Sequence, residues 1–315
     1  MKLPTLAHIV ASGVLSLTAW AQAQTPAALP DTMTFVVPYR AGGAADFIGR
    51  ELAAGLEAHY DTNISVQNKP GAGGTIGSLS VSKSPADGKT WVLCGLGSHV
   101  VGPLMRDVGY DPQQDFSVAA IVGGPASALI SNTDSGIDAL SSLQNKKWTW
   151  ASPGVGTHGH LLGALLSNER NLVSNHIPFK GGAGAVQAVM GGHTQAGVAT
   201  ITSIGGASDS PLMRVLAVSS SKRSPLLPNT PTFAELGMPQ VTSLTWFGVC
   251  GPKGVGETEL NAMQAAIQAV LAKPDWQARF AQRGVELLAL SSSQGMAYMA
   301  AERQRWHPVV AATQK

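Results

Sequence analysis

Thr34-Phe35-Val36-Val37-Pro38, followed by Tyr39-Arg40-Ala41-Gly42-Gly43-Ala44-Ala45-Asp46, is the stretch that decides the fold. Its first five residues are β-rich and its middle is a glycine turn. From Phe47 to Tyr60 the apolar positions Ile48, Leu52 and Leu56 then step by four, the spacing of one helical face. The same order recurs downstream. Ile64 to Gln67 reads as a strand that leads into Gly71-Ala72-Gly73-Gly74 and a helical stretch from Thr75 to Ser82. Thr90 to Cys94 is a third strand, set off by the turn Pro85-Ala86-Asp87-Gly88. Strand, small-residue loop and helix in succession predict parallel βαβ units, and so an α/β fold of parallel-rich sheets flanked by helices.

The pattern continues through the second half. Ala119 to Val122 and Ala126 to Ser131 read as extended, and Asp138 to Asn145 as helical. Trp148 to Ala151 is a strand entering Gly154-Val155-Gly156-Thr157-His158-Gly159-His160, and the next helix carries Leu161, Leu162, Leu165 and Leu166. Phe179-Lys180-Gly181-Gly182 opens a helix through Val186 and Met190. Val198 to Ile201, Val215 to Ser219 and Trp246 to Cys250 are further strands, with an irregular connection from Ser224 to Pro231. Glu257 to Lys273 is an amphipathic helix through Leu260, Met263, Ile267 and Val270, and Met263 and Trp276 read as core. A last helix is expected from about Ser293 to Gln304, with Pro308 predicting a break near Trp306.

Composition narrows the function. The 315 residues include 36 Gly and 19 Pro, a larger share than the roughly one in eight of average proteins. Charged residues are 13% and hydrophobic ones 44%, so a large core is available and a disordered charged chain is excluded. With 21 basic and 19 acidic residues the balance is too even for a protein that grips nucleic acid through many phosphates. The length suggests two domains. Lys2, an apolar run from Leu6 to Trp20 and Ala21-Gln22-Ala23 describe a secretory signal peptide over residues 1–23, cleaved after Ala23, and hence a periplasmic product. For Cys94 and Cys250, two buried free thiols is the simpler reading. A disulfide stays open, because sequence spacing does not report Cα separation.

Loops that follow parallel strands present the free N–H groups of the next helix to anions. Four such loops occur here: Gly42-Gly43-Ala44, Gly71 to Gly74, Gly154 to His160, and Gly181-Gly182. Each alone is an ordinary tight turn; together they point to a ligand with several negative charges. No nucleotide-binding glycine motif stands in the right context. Gly95-Leu96-Gly97-Ser98-His99 resembles a nucleophile turn but lacks G-x-S-x-G, so a hydrolase is poorly supported. His158 and His160 lack a clustered carboxylate or thiol to complete a metal site. On a glycine loop His160 is expected as a hydrogen-bond donor and His158 as an exposed ring. No metal and no cofactor are expected.

At these loops the chain resembles the Bug-type extracytoplasmic solute receptors, the substrate-binding proteins of tripartite tricarboxylate transporters. The matching stretches are Val36-Val37-Pro38 with Gly42-Gly43-Ala44-Ala45-Asp46, Asn68-Lys69-Pro70-Gly71-Ala72-Gly73-Gly74, Pro85-Ala86-Asp87-Gly88, Tyr110-Asp111-Pro112 with Asp115-Phe116, Phe179-Lys180-Gly181, Gly191-Gly192, Lys222-Arg223-Ser224 and Trp246-Phe247-Gly248. They run in order along essentially the whole chain after residue 23. The resemblance implies a two-domain periplasmic binding protein of Venus-flytrap, type II-like form, with no catalysis. Domain one would comprise 31–124 plus 248–315, and domain two 125–247.

The resemblance also implies a carboxylate held by backbone N–H groups at Gly42, Gly43, Ala44 and at Gly71, Ala72, Gly73 and Gly74, faced by Thr157, His160 and Lys180. Asp46 would shape the first loop as a helix cap. Tyr39 and Phe179 would supply apolar walls, and Ser98, Gln195 and Ser203 complete the expected lining. Two departures bear on the ligand. The family commonly has Pro-Phe-Pro-Pro-Gly-Gly where this chain has Pro38-Tyr39-Arg40-Ala41-Gly42-Gly43, so Arg40 is either a two-pronged carboxylate clamp or a solvated loop residue. The family often has an Asp where Gln195 stands and a Ser where Gly159 stands, and losing the acid favours a fully anionic ligand over an amino acid. The expected function is capture of a small di- or tricarboxylate, possible aromatic ones included, by a monomer that delivers it to the membrane subunits of such a transporter. A carboxylate sensor for a membrane kinase is the alternative, ahead of a periplasmic hydrolase.

Overall fold

The computed structural model describes residues 28–143 and 147–314, so the expected signal peptide lies outside the described residues. Two sheets carry the chain. The first contains β1 (Thr32–Val37), β2 (Asn63–Asn68), β3 (Thr90–Gly95), β4 (Phe116–Pro125), and two strands from late in the sequence. The second is built from β5 (Ser127–Asn132), β6 (Trp148–Ser152), β7 (Ser174–Pro178), β8 (Ala196–Thr200) and β9 (Met213–Val218), before β10 (Phe247–Pro252) and β11 (Val285–Leu290) return to the first. Spatial orders are β11-β4-β10-β3-β1-β2 and β7-β6-β8-β5-β9. In each sheet three strands are parallel neighbours: β1 with β2 and β3, and β6 with β7 and β8. β10 runs antiparallel between β3 and β4, and β5 antiparallel between β8 and β9.

Helices cover both faces. Among the described residues these are α1 (Ala44–Glu57), α2 (Thr75–Ser82), α3 (Gly102–Met105), α4 (His158–Glu169), α5 (Gly182–Met190), α6 (Ile201–Ile204), α7 (Glu257–Leu271), α8 (Pro274–Ala281) and α9 (Ser292–Thr313). Period-two alternation sorts each strand between two cores. Phe35 and Val37 of β1 pack with Ile48, Leu52 and Leu56 of α1 and Met263, Ile267 and Val270 of α7. Val36, one residue out of step, belongs to a cluster that runs from the other face of the first sheet into the second, through Ile130, Ala151 and Leu161. Each large side chain so buried contributes about 1.5–3 kcal/mol. Trp148, Trp150, Leu162 and Phe233 form a third cluster behind the second sheet.

Several expectations need correction. The free-thiol reading of Cys94 and Cys250 does not hold: they form a disulfide with Cα atoms 5.8 Å apart. β3 and β10 are neighbours, with Cys94 opposite Gly248 and Cys250 opposite Val92, although 156 positions separate the cysteines in sequence. α9 does not break near Trp306 but runs through Pro308 to Thr313. An interior proline costs about 3 kcal/mol. Fully burying side chains such as Trp306, Val309 and Val310 offsets that at about 1.5–3 kcal/mol each. The helix expected from Asp138 to Asn145 is only a short 3₁₀ turn, Leu140–Leu143, and Asn145 lies outside the described residues. α3, β7, α6, α8 and β11 were not anticipated.

Candidate functional site

Because β1, β2 and β3 are parallel, the loops after them share one edge of the first sheet, and those after β6, β7 and β8 share one edge of the second. Within the first edge Tyr39 is the common neighbour. A Cβ on Gly74 would lie 2.9 Å from its ring and 3.2 Å from Ser98 Cβ, and one on Gly97 would lie 3.0 Å from its hydroxyl. Tyr39 also packs edge-on against Phe247, and burial pushes its phenol up to about 12, so it stays protonated. Within the second edge, Phe179 N–H donates to Ser152 O, Gly181 N–H to Pro153 O, and a Cβ on Gly182 would collide with Ser203 Oγ. The two edges meet where Gly156 approaches Met105 Sδ and Val101 Cγ1 at the end of the first sheet's third loop.

The first loop is locked by one buried carboxylate. Asp46 Oδ2 accepts Gly42 N–H at 3.0 Å, Oδ1 accepts Asn68 Nδ2 at 2.9 Å, and Arg50 Nε reaches both oxygens. Asn68 also donates to Tyr39 O, which ties the loop to the end of β2. Burial opposes the charge on Asp46, but hydrogen bonds from Arg50, Gly42 and Asn68 outweigh it and hold the carboxyl below its usual value. Asp46 is therefore the third helical residue reaching back, and the cap position itself is Gly43. The second loop is a run of left-handed residues, with φ of 145°, 47°, 70° and 95° from Gly71 to Gly74, and Thr75 Oγ1 and Arg106 Nη2 both donate to Ala72 O.

The caps differ. Gly43, Gly74 and Gly181 precede α1, α2 and α5 with no side-chain cap hydrogen bond. The first N–H groups of a helix have no partner within it; at α2 the first of them, Thr75 N–H, already donates to Ala72 O, while at α1 and α5 no side-chain cap serves them. The N–H groups of Gly42, Gly74 and Gly181 themselves are committed inside the loops, to Asp46, Gly71 O and Pro153 O. At α4 Thr157 is a true cap: Oγ1 accepts His160 N–H and donates to Gly154 O, while Gly156 N–H donates to His160 Nδ1. Among the described residues Arg40 and Lys180 are exposed and have no ion pair or side-chain hydrogen bond.

Two histidine expectations change. His158 is buried, not exposed, with both ring nitrogens hydrogen-bonded. His160 Nδ1 is an acceptor, which leaves the ring's proton, and its donor role, on Nε2. His160 stacks on His176 at 4.3 Å, and His176 packs on Trp150 and meets Ser152 Oγ at 2.6 Å. Burial lowers both rings, His176 to about 4 with the neighbouring His160 adding to the shift, so neither carries charge at neutral pH. Ser98 Oγ does meet His99 Nδ1 at 2.9 Å, yet His99 Nε2 has no hydrogen-bond partner and burial lowers the ring to about 3. That pair lacks the third group that orients a catalytic base. Gln195 is not brought to the loops: it precedes β8 at the end opposite Ser203 and exchanges two hydrogen bonds with the Thr149 backbone. Sequence reasoning missed Asn68 and Arg50 as loop anchors and His176 beneath His160; Asn68 was visible only as part of Asn68-Lys69-Pro70-Gly71.

Two α/β sheets with their loop edges together are the architecture of periplasmic binding proteins of the Venus-flytrap kind. The chain belongs to the tripartite tricarboxylate transporter receptor family, whose model matches residues 48–314, and is thus a periplasmic solute-binding receptor. It is 32% identical to Protein BugT of Bordetella pertussis, over 88% of each chain. Among solved structures, R. palustris Rpa4515 with adipate is 26% identical with a TM-score of 0.79, covering 90% of this chain and 97% of that one. MatC of Rhodopseudomonas palustris with bound malate is 25% identical with a TM-score of 0.74, covering 89% and 98%.

Proposed function

We propose that the receptor captures a small di- or tricarboxylate between two closing domains, 31–124 with 248–315 and 125–247, and presents it to the membrane subunits of a tripartite tricarboxylate transporter. The observation that carries this reading is the set of three glycine-capped helices, α1, α2 and α5, whose first N–H groups have no side-chain acceptor. A carboxylate satisfies such donors and complements the positive end of the helix dipole. Arg40 and Lys180 add fixed charge on opposite sheets' loops, so a ligand with a carboxylate at each end draws the edges together. Closure follows because only the closed arrangement satisfies both ends of the ligand. Tyr39 and Phe179 supply apolar surface for a methylene chain or an aromatic ring. The adipate and malate bound by Rpa4515 and MatC are dicarboxylates, which supports the class.

A thermal-shift screen of the mature protein with malate, adipate, citrate and phthalate tests the reading. At least one dianion or trianion is expected to raise Tm by several degrees at millimolar concentration, as mass action requires of a micromolar ligand. A flat response to every anion, with amino acids or sugars raising Tm instead, would overturn it.

A further inference from the structure

We propose that His158 is a positioning residue that fixes the angle between the two sheets, acting as a neutral strut between the chain's two crossings. The proposal rests on the closing-domain reading above. The chain leaves the first sheet at Pro125 and enters the second at Ser127; it returns through Ser243, Leu244 and Thr245 to β10. A single antiparallel bridge, Ala126 with Leu244, pairs the crossings. His158, the first residue of α4, touches both. Its Nδ1 lies 2.9 Å from Ser127 Oγ on the outward crossing and 3.0 Å from Thr245 Oγ1 on the return, and its Nε2 lies 2.8 Å from Ser243 Oγ.

The proton positions follow from counting. Ser243 Oγ donates its one proton to Val241 O, so it accepts from His158, and the ring proton sits on Nε2. Nδ1 is then the acceptor, its one lone pair shared between the Ser127 and Thr245 hydroxyls. Ser219 completes the cluster: its Oγ accepts Ser127 N–H and donates to Ser243 O. From a third side, α9 sets Trp306 edge-on against the imidazole, with ring centres 5.8 Å apart. The charged groups facing it come from α9 as well, Arg305 and its partner Glu302.

A ring bonded at opposite ends to two strands resists relative rotation of those strands. Rotating one crossing strand against the other lengthens at least one of these bonds, and Trp306 of α9, packed edge-on against the ring, ties the cluster to the first sheet's side; hydrogen bonds weaken steeply with distance and misalignment. Breaking one strands a buried hydroxyl or ring nitrogen, which costs more than the bond's net worth.

The test compares three forms of the full mature chain by small-angle scattering without ligand: wild type, His158→Phe, and His158→Phe with Ser127→Ala and Thr245→Val, the two hydroxyls bonded only to the ring. The triple variant replaces the stranded hydroxyls with apolar groups and keeps the measurement available if the single variant folds poorly. Both variants are expected to show a larger radius of gyration than wild type. Their apparent Kd for malate or adipate should rise roughly tenfold, the change produced when the binding-competent population falls tenfold. A triple variant with recovered Tm and a still wider particle supports the strut. Variants that lose Tm yet keep the wild-type radius of gyration make His158 an ordinary core residue and overturn it. If wild type binds neither anion, the ligand reading fails on its own, while the ligand-free scattering still decides the hinge.

Discussion

The loops at the meeting edges and the cluster at the crossings handle buried polar chemistry in opposite ways. At the crossings every hydroxyl of Ser127, Ser219 and Ser243 and both nitrogens of His158 have partners. At the loops, three helices begin at glycines that offer no cap, and Arg40 and Lys180 have no acid beside them. Gly43 and Gly181 are exposed, so helix starts of this kind can exchange water for an anion, which is the role proposed for them above. The closed network holds a geometry; the open one waits for a partner.

Acid should separate the two regions most strongly. Burial lowers His99 and His158 to about 3, the latter with help from Arg305, whereas the unfolded chain titrates near 6.5. The neutral rings therefore contribute stability that is fully present above pH 6.5 and lost as pH falls toward 3. Each histidine steepens the decline by up to about 1.4 kcal/mol per pH unit. Urea unfolding at pH 7, 6 and 5 should show the decline, and because burial lowers His160 and His176 as well, His158→Phe should flatten it by about a quarter. An unchanged slope in that variant would mean that the crossings are wet and the contrast is misplaced.

Gly74→Ala attacks the loops instead. The residue has φ of 95° and its added Cβ would press on Tyr39. Strain of 1–3 kcal/mol at the loop should weaken the best carboxylate roughly ten- to hundredfold by titration calorimetry. Arg40→Ala should cost about tenfold if its guanidinium makes one charge-assisted bond, and unchanged affinity would return it to solvent. The mildest change is the most direct: Gly43 has φ of −87° and ψ of 177°, which any residue adopts, and a Cβ there meets only Arg40 O at 3.8 Å. Gly43→Ser should raise stability by a few tenths of a kcal/mol while weakening carboxylate binding, because the new hydroxyl occupies the donors that the ligand needs. Improved stability with unaltered affinity would show that the α1 donors do not bind ligand.

The glycine loops were legible because their conformations demand small residues at fixed places between strand and helix, a local signal. α2 lay where residues Thr75 to Ser82 predicted it, and β1, β2, β3 and β6 lay within two residues of expectation. What escaped was set by distance along the chain. The partners of His158 are 31, 85 and 87 positions away, Cys94 pairs with a residue 156 positions on, and Asp46 reaches Asn68 22 positions on. β11 escaped for a different reason: Val285 to Leu290 is nearly all apolar, without the alternation that marks a half-exposed strand. At α9 the local rule for proline was sound and tertiary burial overrode it.

The strand order also dictates how the molecule comes together in time. The second sheet is drawn from one unbroken stretch, β5 to β9, whereas the first places β10 between β3 and β4 and seals its edge with β11. As the chain emerges, the second sheet has all its strands while the first still has a gap at its centre, exposing the apolar flanks of β3 and β4. Until about residue 252 arrives, that gap is an unpaired strand edge, the kind of surface on which newly made chains associate with one another. Holding the early segment apart from its copies during this interval is a requirement imposed by topology, and it applies before any ligand has a cleft to enter.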